Sequence, residues 1–294
     1  MPLQYKLEDY YRPESMKQAV ELLSKFGKTA KVIAGGTDIL PKRQQGAKFD
    51  TITHLIDVSN LELNYIKKNK DNICIGAATD INCLATAPVF HQNSYRALME
   101  AAEAHSTNTI RNQATIGGNL CNASSCADLA LPLLTLSASV VVTGPKGNCT
   151  MPLDTFFTGP NCTALLPGEI LKKIIIPDYK ENAGSSFIKL KHHQTCVDMA
   201  VVNVATQLWF NENRCKRAMI ALGAVWPTSF LAKEAADILL GQTLSKKLIE
   251  QAAKLAADSS APINDNRATA AYRKEMVTVM VKNSLEKSWK RSGI

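Results

Sequence analysis

Between Pro177 and Ser186 the apolar pattern of this chain stops: the stretch is polar, carries Asn182-Ala183-Gly184, and separates two differently organised halves. Upstream, short β-type runs alternate with short helical stripes. Downstream, three extended apolar runs come first and everything after them has helical spacing. That order reads as an α+β protein with a domain boundary at the break. The 294 residues agree with two domains, because single cores stop growing at about 250–300 residues.

In the upstream half, Ala19, Val20, Leu22, Leu23 and Phe26 form a helical stripe closed by Gly27. Ala30 to Ala34 is a compact β-type run ending in Gly35-Gly36-Thr37-Asp38, after which Ile39 and Leu40 start another amphipathic turn. His54 to Val58 reads as a strand, and Tyr65–Lys67 with Ile73–Ile75 as a hairpin. Thr79 is the expected cap of a helix over Ile81 to Ala85, and Ser94 to His105 is a second helix. A helix over Leu129 to Leu134 and strands at Val140–Val142 and Ile170–Ile176 complete this half.

Downstream, Ser186–Lys191, Met199–Phe210 and Arg217–Val225 predict a three-stranded antiparallel sheet. Phe230–Leu240, Ser245–Asp258 and Ala268–Ser288 predict a helical bundle.

Composition excludes several function classes. Hydrophobic residues make up 46% and charged residues 20%, so the chain is neither disordered nor fibrous. The formal charge is +8, but the cations are scattered and aromatics are only 6%, which argues against nucleic acid. The opening residues carry no apolar stretch and no segment reads as a membrane span, so the expectation is a cytoplasmic protein. Eight cysteines include no C-x-x-C, and Cys121 and Cys126 share only the first spacing of an iron–sulfur run, so buried reduced thiols are the reading. His192-His193 on a strand would point to opposite faces and could not share a metal. Cys196 with Asp198 lacks a histidine or asparagine constellation for nucleophilic work.

The chemistry-bearing feature is a pair of segments, Ala34-Gly35-Gly36-Thr37-Asp38 and Thr115-Ile116-Gly117-Gly118-Asn119, each reading as adjacent glycines at the mouth of a strand. Glycine lets consecutive N–H groups turn toward one point and brings the main chain close to a phosphate. Either segment alone reads as a tight turn, since Gly-Gly between elements is common and neither matches G-x-G-x-x-G or a Walker loop. Two in one domain leave a pyrophosphate ligand and a pair of plain turns equally open.

Those two segments, with Ile110-Arg111-Asn112 leading into the second and Asp128 beyond it, resemble the FAD-binding medium subunit of the molybdenum hydroxylases, the group of xanthine dehydrogenase and carbon monoxide dehydrogenase. The likeness runs along essentially the whole chain and, from Gly117 to Asp128, leans toward bacterial xanthine dehydrogenases. It implies a PCMH-type FAD-binding domain over residues 1–178, built of two α+β subdomains divided near 58–64. A smaller domain of the carbon monoxide dehydrogenase flavoprotein type would span 185–294.

By the same resemblance Val32, Ile33, Ala34, Gly35, Gly36, Thr37, Asp38 and Ile39 would wrap the FAD pyrophosphate. Thr115, Ile116, Gly117, Gly118, Asn119 and Cys121 would approach it from the other side. Asp128 would accept a hydrogen bond from a ribose or ribityl hydroxyl, and Leu171 would pack near the adenine. His105 stands where mammalian xanthine dehydrogenases present a flavin-side Phe. Val201 stands where they present a Lys, with Lys189 and Lys191 in the preceding strand. No catalytic acid or base is expected in this chain.

The implied partners are a large subunit with the molybdenum cofactor and a small subunit with two [2Fe-2S] clusters, and the implied acceptor is NAD+ or another electron carrier. A stand-alone FAD oxidoreductase and a non-enzymatic basic interaction module are the alternative readings; the last predicts a colourless protein.

Overall fold

The computed structural model describes residues 7–44, 51–179, 182–193 and 199–294, so Cys196 and Asp198 lie outside the described residues. Three strands open the chain: β1 (Asp9–Tyr11), β2 (Ala30–Ile33) and β3 (His54–Asp57) form a parallel sheet in the order β1-β3-β2. Between them run α1 (Met16–Phe26) and α2 (Ile39–Gln44). Ser15 caps α1 by accepting the Gln18 N–H, and Gly27 ends it at φ 54°, a conformation that glycine adopts without the Cβ penalty. Ala19, Val20, Leu23, Ile56, Val58 and Leu63 make this unit's core, which Ile170 joins from far along the chain.

A second sheet is a five-stranded antiparallel array. The hairpin of β4 (Ile66–Lys68) and β5 (Asn72–Gly76) occupies one side. Helices α3 (Ile81–Thr86), α4 (Arg96–Ala104), α5 (Asn108–Arg111), α6 (Ile116–Asn122) and α7 (Ala130–Thr135) follow. Then come β6 (Ser139–Gly144), β7 (Gly147–Pro152), the small pair β8 (Phe157–Gly159) and β9 (Cys162–Thr163), and β10 (Ile170–Pro177), which takes the centre of the order β4-β5-β10-β6-β7. Asp80, not Thr79, caps α3 by accepting the Cys83 N–H; the Thr79 hydroxyl is held instead by the Tyr65 main chain.

The last sheet has four strands rather than the three expected: β11 (Ala183–Lys191), β12 (Ala200–Asn211), β13 (Arg214–Gly223) and a short β14 (Phe230–Leu231). Phe230 and Leu231 pair with Leu222 and Ala221, so the stretch read as helix from Phe230 begins as an edge strand. Only then do α8 (Lys233–Asp237), α9 (Lys246–Asp258) and α10 (Ala270–Arg291) follow.

Every β12 residue from Ala200 to Phe210 is buried, because one face of the sheet packs on α10 and the other reaches the preceding unit. Phe187, Ala205 and Ala221 belong to the core of the five-stranded unit, whereas Val204, Leu208 and Leu222 pack with α9 and α10. Strand alternation thus splits one sheet between two cores. His192 and His193 fall just past the end of β11, not on it, and their rings touch edge to face at 4.2 Å.

Candidate functional site

The first glycine segment meets the peptide that leads into the second. Gly35 lies so close to the Gln113–Ala114 peptide that a Cβ on it would fall 1.7 Å from the Gln113 oxygen. Residue 35 must therefore be glycine for this approach, and Gly36 is needed for a different reason, its φ of +69°.

Their amides differ sharply. Among the described residues, no protein acceptor takes the N–H groups of Gly35, Gly36, Thr37, Asp38 or Ile39, although the Gly36 and Asp38 carbonyls accept from Leu40 and Lys42. In the second segment the amides are spent: Ile116 donates to the Thr79 carbonyl, Gly117 to Ala77, Gly118 to the Thr115 hydroxyl and Asn119 to the Thr115 carbonyl. The expectation that main-chain amides close on a ligand from both sides is corrected here. Gly117-Gly118 sits not at a strand mouth but in the first turn of α6, whose cap is Thr115. A Cβ on Gly117 would lie 2.5 Å from the Ala77 oxygen, so that glycine serves packing, while Gly118 is exposed and nearly unobstructed. What α6 leaves available is the Asn119 side-chain oxygen, buried and without a partner among the described residues.

Lys42 joins the segments from outside, its Nζ 2.8 Å from Asp38 Oδ2 and 2.6 Å from Asn122 Oδ1 at the end of α6. Arg111 fixes the approach to the second segment: its guanidinium donates to the Glu103, His105 and Ser106 carbonyls.

His105, Asp128 and Lys189 form a second cluster. Lys189 Nζ stands 2.8 Å and His105 Nδ1 3.3 Å from Asp128 Oδ2, and Asn203 donates to Asp128 Oδ1 at 3.2 Å. Asp128 precedes α7, but its partners are these side chains and not the helix amides, so its role is to tie the region before α7 to β11 and β12. Gly223 makes room for Asn203, because a Cβ there would stand 2.3 Å from Asn203 Oδ1.

Other expected residues serve the interior. Val32 and Ile33 are in β2, and Leu171 is 4% exposed within the core of the five-stranded unit. Burial pushes the Cys121 thiol up to about 12, which keeps it protonated and inert. Ile116 is fully buried. Val201 is buried against the α9–α10 core. Among the described residues no group of acids, histidines and cysteines could hold a metal ion, and no helix is long and apolar enough to cross a membrane.

Lys42, Asn122 and Asn203 escaped the sequence reading. Only Lys42 had a local signal, four residues after Asp38.

A run of main-chain donors without a protein acceptor among the described residues, close to the helix that carries the second glycine pair and followed by a sheet-and-helix unit, is the arrangement of a cofactor-binding class of protein. The chain belongs to the FAD-binding family of the molybdopterin dehydrogenases: residues 3–179 match the FAD binding domain in molybdopterin dehydrogenase and residues 187–288 the CO dehydrogenase flavoprotein C-terminal domain. It is 32% identical to the carbon monoxide dehydrogenase medium chain of Hydrogenophaga pseudoflava over 284 residues, 96% of this chain and 97% of that one. A putative xanthine dehydrogenase FAD-binding subunit of Escherichia coli is 29% identical over 292 residues, 98% of each chain. The solved carbon monoxide dehydrogenase from Hydrogenophaga pseudoflava that lacks the Mo-pyranopterin moiety superposes with a TM-score of 0.92 at 32% identity, covering 99% of both chains. The lean toward xanthine dehydrogenase thus has no support over carbon monoxide dehydrogenase.

Proposed function

We propose that this chain is the electron-transfer medium subunit of a cytoplasmic molybdenum hydroxylase complex, with domains at 1–178 and 185–294. The partners are a large subunit holding the molybdenum cofactor and a small subunit holding two [2Fe-2S] clusters, with NAD+ or another carrier as the final acceptor. When bound, FAD supplies the chemistry of accepting and releasing electrons. The observation that carries the reading is the run of amides from Gly35 to Ile39 without a protein acceptor among the described residues, beside the close approach of Gly35 to Gln113.

The residues present fit the cofactor. Unpaired N–H groups on a glycine segment satisfy a diphosphate without needing a cationic side chain. The Thr37 hydroxyl adds a donor, and Gly118 and Asn119 bound the opposite wall. Asp128, with Lys189 and His105 on one oxygen and Asn203 on the other, has part of its acceptor capacity left for a ligand hydroxyl. This chain's work is to bind and orient.

The test is an absorption spectrum with cofactor extraction on the chain purified together with its partner subunits. A flavin spectrum with released FAD, molybdenum and iron in the complex, and NAD+ reduction on substrate addition are expected. A colourless chain that neither retains nor takes up FAD would sink the proposal.

A further inference from the structure

The segment from Ile33 to Leu40 contains one acid, Asp38. Its amide has no protein acceptor among the described residues, yet its carboxylate carries the same sign of charge as the diphosphate those amides are proposed to hold. Left alone, that carboxylate opposes the ligand through space, by an amount that grows as water is displaced. Lys42 stands against it at 2.8 Å, and the same ammonium reaches Asn122 at 2.6 Å. Both members of the ion pair are well exposed, at 34% and 47%, so the pair adds little to folding. Its consequence falls on whatever anion approaches the amides.

We propose that Lys42 is a positioning residue for the cofactor: it cancels the charge of Asp38 and pins the first glycine segment to the end of α6. The inference rests on the FAD reading above and goes beyond it, because Lys42 belongs to neither glycine segment. Two rival roles give different outcomes. If Asp38 instead accepts a hydrogen bond from a sugar hydroxyl, removing its charge weakens binding. If Lys42 touches a phosphate itself, its loss is not cured by changing Asp38.

The experiment titrates FAD into this chain in complex with its partner subunits, stripped of flavin, reading flavin fluorescence, for wild type, Lys42→Gln, Lys42→Arg, Asp38→Asn and the double Asp38→Asn/Lys42→Gln variant. Lys42→Gln is expected to weaken FAD by about three- to tenfold at low salt, with the difference shrinking as salt is raised. Lys42→Arg should bind like wild type, Asp38→Asn at least as tightly, and the double variant like Asp38→Asn. Riboflavin, which lacks the diphosphate, should not distinguish wild type from Lys42→Gln. Unchanged FAD affinity in Lys42→Gln, weaker binding by Asp38→Asn, or a double variant no better than Lys42→Gln would each overturn the proposal. If wild type itself failed to take up FAD, the functional reading would fail before any variant was compared.

Discussion

Single residues separate packing from ligand contact in the two glycine pairs. Gly35→Ala forces a Cβ onto the Gln113 carbonyl, so a loss of about 2–4 kcal/mol is expected together with loss of FAD. Gly118 tests the ligand with little cost to the fold. It is exposed in α6, and a Cβ there meets only its own cap, the Thr115 hydroxyl at 3.0 Å. Gly118→Leu gains helix propensity of about 0.5–1 kcal/mol, which offsets a small shift of the cap. Thermal melting should therefore stay near wild type while FAD retention drops. Retention equal to wild type would show that Gly118 does not bound the cofactor.

At the level of elements, α10 is held by a buried cation as well as by its apolar face. Arg273 is 1% exposed and donates to the Val201 and Ala224 carbonyls and to Asp265, joining the start of α10 to the ends of β12 and β13. Arg273→Met keeps much of the volume but strands the Val201 and Ala224 carbonyls, while Asp265 keeps Arg267, so a loss of about 2–4 kcal/mol is expected in chemical denaturation. Burial alone would raise the Asp265 carboxyl, but Arg267 and Arg273 overcome it and hold the group well below the usual carboxylate range. Elsewhere the helices are held by ordinary means: Thr269 caps α10 and Ser245 caps α9, each accepting an N–H three residues on.

Across the whole molecule, a few charged groups couple the C-terminal sheet and helices to the units before them. Glu100 of α4 accepts from the Phe187 N–H of β11 and from Lys287 and Arg291 of α10. Burial acts to raise its pKa, yet these donors outweigh it and leave the folded value lowered. A group depressed on folding stabilises above its unfolded pKa of about 4.3, and that contribution is lost as pH falls through the folded value. The melting temperature should accordingly decline below about pH 4, and Glu100→Gln should lower it at neutral pH while flattening the acid decline. An acid limb of the same steepness in the variant would show that Glu100 is not its source. The Asp128–Lys189 pair, 5% and 6% exposed, makes a second such junction beside the candidate site.

The class of fold, much of the order of elements and the two glycine pairs were legible in the chain because each depends on neighbours a few residues away: strand alternation, helical stripes and the φ that Gly27 allows. Nothing local revealed that the Ile116 and Gly117 amides would be consumed while those of Gly35–Ile39 stayed without an acceptor among the described residues. That difference depends on the Ala77 and Thr79 carbonyls, which lie almost forty positions earlier and arrive only through folding. The same holds for Asp128, whose partners Lys189 and Asn203 come from another sheet, and for Phe230, drawn into β14 by Leu222. Hydrogen-bond partners set by long-range packing leave no periodic trace along the chain, so the same two glycine motifs read as equals until three-dimensional contacts make one a donor set and the other a packed helix turn.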